Sequence, residues 1–472
     1  MSLSSVSSLS NLVPQQVAAI FQLQQLGQAI AKNTLQLATQ KRINSAADDP
    51  AGFVLASSLQ LELSTLTATL SGLAQATSLV GTAASTAGQI VSQLTQAKSL
   101  AQAVAGGTLS TAQVAADQTQ LDQILTAVDA LAATSFNGTR LLDGSSSFQT
   151  SGVNTGQIPS VQVLNKQTSA NVAVSVNVTS LATPAINSYS GGTLGAAATV
   201  NVTGPSGSAV VTLASGATTD AITTAFNSVS YLTGVTAAKV DGTTVNFKTV
   251  NYGSAAKVTI AATSGTLNTT TSGTVAGTDA QANINGQVVT GSGSVFTVTT
   301  NQTTLQIAVN PTVSGALQSF TVSGNGLLFV LGERPANSVQ LGLPPLNTAA
   351  LGGISGTLTS ISSSGTNSLI SGNATTALNI INNALTQATV GQASLASFQT
   401  YTLGAASSVA TSTQQNVTSA LNAVVGIDAA TVSSQLANNQ LLQQTTTAAL
   451  QLFNTQRLNL VSILLGLLPL KA

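Results

Sequence analysis

The densest group of chemically capable side chains lies in the stretch KRINSAADDPAG, residues 41–52. It holds Lys41, Arg42, Asp48 and Asp49, although the whole chain of 472 residues has only 12 basic and 12 acidic side chains. Asp48 and Asp49 are the only adjacent carboxylates, and paired carboxylates are candidates for general acid–base chemistry. The pair therefore raises the question of whether this stretch is an active site.

An active site is disfavoured because the usual partner groups are absent from the sequence. There is no histidine and no cysteine, which removes Ser-His and Cys-His arrangements and the commonest zinc ligands. The remaining carboxylates are scattered along the chain. The sequence therefore predicts that the protein is not an enzyme and that it has no metal site and no cofactor.

Composition instead indicates a protein that associates with copies of itself. Charged residues make up 5% of the chain and the formal net charge is zero, so a basic surface for nucleic acid is excluded. Net neutrality also leaves little repulsion between copies. Because so few groups titrate, the composition predicts a stability that changes little with pH.

Neither end of the sequence predicts insertion into a membrane. The N-terminal MSLSSVSSLSNLVPQQ has no basic start and no cleavable apolar segment, so a Sec signal is not expected. The most apolar run, residues 458–470, is interrupted by Asn459 and Ser462 and is shorter than the roughly 18 residues of a spanning helix. We interpret that run as a buried helix end.

The sequence up to about residue 145 has a coiled-coil pattern that predicts long helices. Apolar residues recur every seven positions, and a second apolar series is interleaved with them. Gly106-Gly107 breaks this helix, and a second helix is predicted from Thr111 to Ala133, before the turn dipeptide Asn137-Gly138. The predicted helical seam comprises Leu59, Leu63, Leu66, Leu70, Leu73, Val80, Val91 and Leu94.

The middle of the chain changes to Thr, Ser, Val and Gly in alternating runs, which predict strands. A hairpin is expected around Asp241-Gly242, and a short helix over 220–229. The C-terminal part returns to helix. The predicted fold class is therefore mainly α: a coiled-coil hairpin core of N- and C-terminal helices with an inserted β-rich outer region, giving an elongated, multidomain α+β protein.

The stretch 41–52 separates the terminal helix from the long second helix and offers two competing helix starts. Ser45 and Asp48 have the spacing of a capping box, while Asp49 before Pro50 has the pattern of an N-cap followed by proline. Either start places negative charge where the helix dipole favours it. The charges either only cap and solvate an interdomain link, or they also form ion pairs between subunits of a polymer.

Several motifs resemble bacterial flagellins. KRINSAADDPAGFVLASSL is similar to the signature that opens their long helix, and SFNGTRLLDG, residues 135–144, resembles their FNG turn. The C-terminal segment 432–465, with its LLQQ step, resembles their terminal helix. A segment within 234–260 and the stretch 329–353 resemble the outer-domain module and the strand-rich return to the core.

This resemblance implies a subunit that polymerises into the flagellar filament for swimming motility. Residues 1–44 and 430–472 would form an inner coiled coil, 45–145 and 356–429 a surrounding helical tube, 325–355 a strand-rich return, and 146–324 a surface insertion of one or two subdomains. The expected polymerisation residues of the interdomain link are Lys41, Arg42, Asp48, Asp49 and Pro50. The expected core of the terminal helices contains Ile20, Leu26, Leu436, Leu442, Phe453 and Leu464.

The resemblance also implies partners and a location. The chain would be exported by the flagellar type III apparatus with a chaperone, would polymerise beneath a cap protein next to hook-associated proteins, and would reside in the extracellular flagellum. O-linked glycans could decorate the Ser/Thr-rich insertion. The alternative is a hook–filament junction protein, which shares such ends. An adhesin, a membrane-active protein and an enzyme are less well supported.

One departure from the family concerns the charged stretch that the vertebrate Toll-like receptor for flagellin recognises. Here the corresponding run, residues 94–104, has Lys98 as its only charge, and Ser99 stands where the acidic residue would fall. Losing an Arg and its neighbouring carboxylate removes the strongest polar anchors. We therefore predict weak or absent receptor activation by purified monomer in a reporter-cell assay; robust activation at nanomolar dose would contradict this.

Overall fold

The computed structural model describes residues 4–166, 170–324, 326–332, 337–353 and 355–466, without the side chains of 4–13, 460 and 463–466. Long helices occupy both ends of the chain and strands occupy the middle, so the predicted α+β class is confirmed. The helices are α1 Ser4–Thr39, α2 Pro50–Ala105, α3 Thr111–Ala132, α4 Thr219–Asn227, α5 Ser230–Thr233, α6 Ala374–Ser397, α7 Gly404–Val425 and α8 Ala429–Gly466.

The strands fall between α3 and α6, with short 3-10 helices at Leu358–Ile361 and Leu369–Ser371 and a π-helical turn at Phe398–Leu403. They are β1 Ser135–Phe136, β2 Thr139–Arg140, β3 Gln149–Ser151, β4 Ser160–Lys166, β5 Val172–Val174, β6 Val176–Ser180, β7 Pro184–Tyr189, β8 Ala198–Gly204, β9 Gly207–Leu213, β10 Val235–Lys239, β11 Val245–Tyr252, β12 Lys257–Ser264, β13 Gly273–Ala276, β14 Gln281–Ile284, β15 Gln287–Thr290, β16 Val295–Thr299, β17 Thr303–Ala308, β18 Gly315–Ala316, β19 Phe320–Ser323, β20 Leu327–Val330, β21 Ser338–Leu341, β22 Gly352–Gly353 and β23 Gly356–Thr357.

The chain divides into two compact units, residues 1–70 with 409–472 and residues 71–408. In the first unit α1 packs along α8. The pairing is antiparallel, because Gln16 Nε2 donates to Asn454 Oδ1 at 3.0 Å while Arg42 N donates to Val425 O at 2.6 Å. The domain boundaries expected from the sequence, at 44/45 and 429/430, stay a prediction.

The second unit contains most of the buried surface of α2. One buried series runs through Leu73, Val80, Ala87, Leu94 and Ala101, and the other follows it by three residues. The second series consists mainly of small residues: Ala76, Ala83, Ile90, Ala97 and Val104. This three-then-four spacing is that of a coiled-coil seam.

Two glycines let the C-terminal segment approach α2 closely. A Cβ at Gly81 would lie 3.0 Å from Gln399 Nε2, and a Cβ at Gly88 would lie 2.8 Å from Gln392 Nε2. The two glycines are seven residues apart and therefore recur on one face of the helix. Small residues on this face allow the two segments to pack at short range.

Ser110 and Gln113 form a reciprocal capping box at the start of α3. The turn that follows α3 has the conformation expected from its sequence. After the helix, Asn137 (φ 49°) and Gly138 (φ 80°) connect β1 to β2. Both positive φ values suit an Asn-Gly hairpin turn. The predicted hairpin at Asp241-Gly242 also forms, with β10 pairing antiparallel to β11.

The β-rich region is built around two hydrophobic cores. The first core is made by the sheets β15-β14-β6-β18, β16-β17-β4-β21-β20 and β3-β19-β5, and it includes Val174, Phe296 and Phe320. The second is formed by residues 185–267, where α4 packs on the sheets β10-β11-β7 and β13-β12-β8-β9. In it the rings of Phe226 and Phe247 stack at 4.1 Å between centroids. The second core is thus an insertion within the chain of the first.

Candidate assembly site

The charged stretch that opened the sequence is part of a clasp, which we define as residues 40–49 together with 424–428. Arg42 is its centre. Its backbone N–H donates to Val425 O at 2.6 Å, its Nη2 donates to Val424 O at 2.8 Å, and its own carbonyl accepts from Gln36 Nε2 at 2.8 Å. Lys41 forms an isolated β-bridge with Gly426. The clasp therefore ties the connection after α1 to the connection before α8.

Asp48 organises the turn within the clasp. Its Oδ2 accepts from Asn44 N, Ser45 N and Ser45 Oγ, each at 3.1 Å, and its Oδ1 lies 3.1 Å from Lys32 Nζ. The hydrogen bond from Lys32, followed by that from the Asn44 backbone, lowers the pKa of Asp48 to about 2. Hydrogen bonds to the ionised form favour it, so Asp48 is a structural anion and not a proton donor.

Asp49 begins the long helix. Its Oδ1 accepts from Gly52 N at 2.9 Å, and its carbonyl accepts from Phe53 N at 2.8 Å. Asp49 is therefore the N-cap and Pro50 the first helical residue, whereas Ser45 and Asp48 form a turn before the helix. Arg42 Nη1 lies 3.6 Å from Asp49 Oδ2. The ion pairs of the clasp lie within one chain, and pairing between subunits stays a prediction.

Asp428 has the corresponding role on the other segment of the clasp. It accepts from Ala430 N at 3.0 Å and from Thr431 Oγ1 at 2.8 Å, at the start of α8. These bonds, that from the Thr431 side chain first, lower its pKa. Asp428 is not among the site residues predicted from the sequence, although an Asp immediately before a helix is a recognisable cap signal. No group of three acidic residues among those described could hold a metal ion.

The clasp predicts a loss of stability in acid. The folded pKa of Asp48, about 2, lies below its ordinary value of 3.8. Its contribution is therefore present above about pH 4 and is lost as the pH falls through about 2. We expect the Tm of the wild type to fall relative to that of Asp48→Asn between pH 5 and pH 2, measured by circular dichroism. Parallel Tm curves would contradict this role.

The lowered pKa values revise the expectation of a weak pH dependence. Hydrogen bonds, chiefly from neighbouring Ser or Thr side chains, also lower the pKa values of Asp143, Asp241 and Asp279. The few carboxylates of this chain are thus used mainly to hold turns, and several depend on staying ionised. A low charge content does not by itself make the fold insensitive to acid.

The α1–α8 pair buries several polar residues and leaves many large apolar residues exposed. Gln16, Asn33 and Gln36 of α1 are buried. In contrast, Phe21 of α1 is 60% exposed and Leu452 of α8 is 59% exposed. No residue of α8 whose side chain is described is buried. The exposed large apolar residues of the first unit are Val17, Ile20, Phe21, Leu35, Phe53, Val54, Leu55, Leu61, Val409, Leu441, Leu442, Leu452, Leu458 and Val461; we call them the apolar surface.

The predicted residues of the terminal core are divided between the inside and the outside of the helix pair. Leu26 is buried, Leu436 and Phe453 are half-buried, and Ile20 and Leu442 are exposed members of the apolar surface. The side chain of Leu464 lies outside the described residues. A single chain therefore covers only part of the set that the sequence pattern selects.

The predicted seam residues of α2 are also divided, between buried and half-buried positions. Leu66, Leu73, Val80 and Leu94 are buried. The other four, Leu59, Leu63, Leu70 and Val91, are half-buried. Lys98 is half-buried and Ser99 is exposed, with Ser99 Oγ donating to Thr95 O at 3.2 Å. By length and composition α2 is also the one helix of the described chain that could cross a membrane, which the sequence inspection did not identify.

Part of the sequence is similar to a known protein family. Residues 11–147 match the model of the bacterial flagellin N-terminal helical region. This part of the chain is therefore similar to the N-terminal helical region of bacterial flagellins. The matched flagellin region contains most of α1, the N-terminal side of the clasp, α2, α3 and the β1–β2 turn. No curated protein matches the chain.

Solved flagellar structures are similar to parts of this chain at low identity. FlgL of Xanthomonas campestris is 12% identical over 76% of this chain and 97% of its own, with a TM-score of 0.28. The D2-D3 domains of the flagellar cap protein FliD of Escherichia coli are 14% identical over 38% of this chain and 100% of their own, also with a TM-score of 0.28. The match over residues 11–147 supports a structural protein of the bacterial flagellum.

Proposed function

We propose that this protein is the subunit of a flagellar filament and that other copies of the same chain cover its apolar surface. The observation that carries the proposal is that large apolar residues of the α1–α8 pair, such as Phe21 and Leu452, are exposed in the single chain. Extended exposed apolar surface is typical of an interaction site. Isolated helices with such faces gain most of their stability from packing.

The partner that covers the apolar surface is best explained by a second copy of the same chain. α1 and α8 each carry a single charged residue, Lys32 and Arg457 respectively. A helix that lies on a membrane surface typically has many Lys or Arg residues on its polar face. A heterologous partner selected by charge would also need complementary charges here. An uncharged surface on a chain of zero net charge favours self-association.

The clasp supplies the geometry that such an assembly requires. A chain that polymerises head to tail needs the same surface presented in the same way by every copy. By fixing both connections that border the α1–α8 pair, Arg42, Asp48 and Asp428 limit the conformations of that unit. In this proposal the charged residues prepare the subunit for assembly, while the apolar surface provides the binding free energy.

A role as filament subunit also implies a route of export, assembly partners and a place for any glycans. The subunit would leave the cell through the flagellar type III apparatus with its chaperone, meet the cap and hook-associated proteins, and carry any O-linked glycans on the β-rich region. The functional alternative is a hook–filament junction protein, which would form a closed ring with a fixed number of copies.

Sedimentation of the purified full chain distinguishes the two assemblies. After acid or heat dissociation and return to neutral buffer, a filament subunit is expected to add to short seeds above a critical concentration and to form a polymer of unlimited mass. A junction protein is expected to give a discrete oligomer or a monomer at every concentration. A discrete species would therefore contradict the proposal.

A further inference from the structure

A polar cleft in the second unit has the chemistry of a binding site that assembly does not use. Its volume is about 460 Å³, within the range of small-molecule sites. It is bordered by one face of α6, by the β22 hairpin, by the end of β11 and by the start of the β16–β17 hairpin. No lining residue among those described carries a charge.

Four asparagine side chains that line the cleft form no hydrogen bond within the described part of the chain. Asn379, Asn382 and Asn383 lie on α6, and Asn251 lies opposite at the end of β11. None of these four side chains makes a hydrogen bond with a residue that the structure describes. Each amide offers two donors and one acceptor. The cleft therefore collects several hydrogen-bonding groups that have no partner among the described residues.

The walls of the cleft are fixed by other polar groups. Gln387 Nε2 donates to Gly352 O at 2.7 Å and its Oε1 accepts from Gly352 N at 2.9 Å, which holds α6 against β22. Asp279 Oδ1 accepts from Ser254 N at 2.9 Å and from Gly293 N at 2.7 Å, which joins the two loops at the rim. A Cβ at Gly353 would lie 2.8 Å from Asn383 Nδ2, so glycine is required there for the amide to keep its place.

We propose that this cleft binds a neutral saccharide. A charged ligand would find no opposite charge among the lining residues, and an apolar ligand would leave the amides without partners, which is costly. Sugar hydroxyl groups both donate and accept hydrogen bonds, so they match a mixed set of amide donors and acceptors. The phenol of Tyr252 and the side-chain amide of Gln306, which also line the cleft, add further groups of the same kind.

Saturation-transfer difference NMR on the full chain tests the proposal with maltose, cellobiose, lactose and N,N′-diacetylchitobiose as probes. We expect at least one of these sugars to receive saturation from the wild type. The double variant Asn379→Ala/Asn382→Ala removes two of the amides, and its affinity is expected to fall by about tenfold or more, since each lost hydrogen bond is worth about 1 kcal/mol. Alanine favours helix more than asparagine does, and circular dichroism checks that α6 is retained.

The matched control is Asn301→Ala, which removes an exposed amide at the far end of the β16–β17 hairpin, outside the cleft. It is expected to bind like the wild type. Absence of transfer from all the sugars would overturn the proposal, as would equal binding by the double variant. Equal saturation of a tetraglycine probe would also overturn it, because it would show a cleft without preference for hydroxyl groups.

Discussion

Phe21→Glu/Leu452→Glu is expected to abolish filament formation at concentrations where the wild type assembles, while the helix content of the monomer stays unchanged. Both side chains are about 60% exposed in the single chain, so a carboxylate there is tolerated before assembly. In a filament it would be buried against apolar side chains without a partner, which costs several kcal/mol. About 2.7 kcal/mol already raises the critical concentration roughly 100-fold, measured by sedimentation of seeded samples.

A matched control separates the position of the substitution from its chemistry. Val288→Glu/Leu328→Glu introduces the same two charges at apolar residues that are equally exposed, on β15 and β20 of the β-rich region. This variant is expected to assemble with a critical concentration within a few-fold of the wild type. If the control were blocked as strongly as the variant of α1 and α8, added charge alone would explain the effect and the apolar surface would lose its assigned role.

Asp48→Ala/Asp49→Ala is expected to raise the critical concentration by about tenfold or more with little change in monomer helicity. The double variant removes the acceptor of Asn44, Ser45 and Lys32 and the N-cap of α2. These interactions lie between helices, so their loss changes the course of the chain more than the number of helical residues. Seeded sedimentation and far-UV circular dichroism measure the two quantities on the same sample.

The control for this variant is Asp143→Ala/Asp241→Ala. It also deletes two carboxylates that hold turns, through Ser145 in one case and Thr243 and Thr244 in the other, but neither lies in the clasp. Assembly of this control is expected to match the wild type. Equal losses of helicity and of assembly in the clasp variant would instead indicate that Asp48 and Asp49 only cap and solvate the link.

The features that the sequence predicts well are those set by neighbouring residues. The turns at Asn137-Gly138 and Asp241-Gly242 follow from local backbone preferences. The strands β8 and β9 follow from two alternating runs of apolar residues. The start of α2 was narrowed to two positions, and the bonds from Gly52 N and Phe53 N to Asp49 decide between them.

The features that the sequence does not reveal depend on close approach between distant segments. The interleaved series of α2 was placed on large residues such as Leu63 and Leu70, yet the buried series contains Ala76, Ala83 and Ala97. Alanine gives a weak hydrophobic signal, so the sequence pattern did not identify these positions as buried.

Two other features were equally hidden from the sequence. A pattern-based analysis places apolar residues inside, so it could not assign Gln16, Asn33 and Gln36 to the interior of the α1–α8 pair. The cleft brings Pro159 together with Gln387, and no local pattern joins residues so far apart in the chain.

In the proposed filament, copies of this chain cover the apolar surface of α1 and α8. Electron cryomicroscopy of material assembled from the purified full chain tests it most directly, because a helical reconstruction shows what lies against each side chain. We expect filaments of indefinite length in which Phe21 and Leu452 are buried by neighbouring copies. Closed rings, or filaments in which these two side chains remain in solvent, would contradict it.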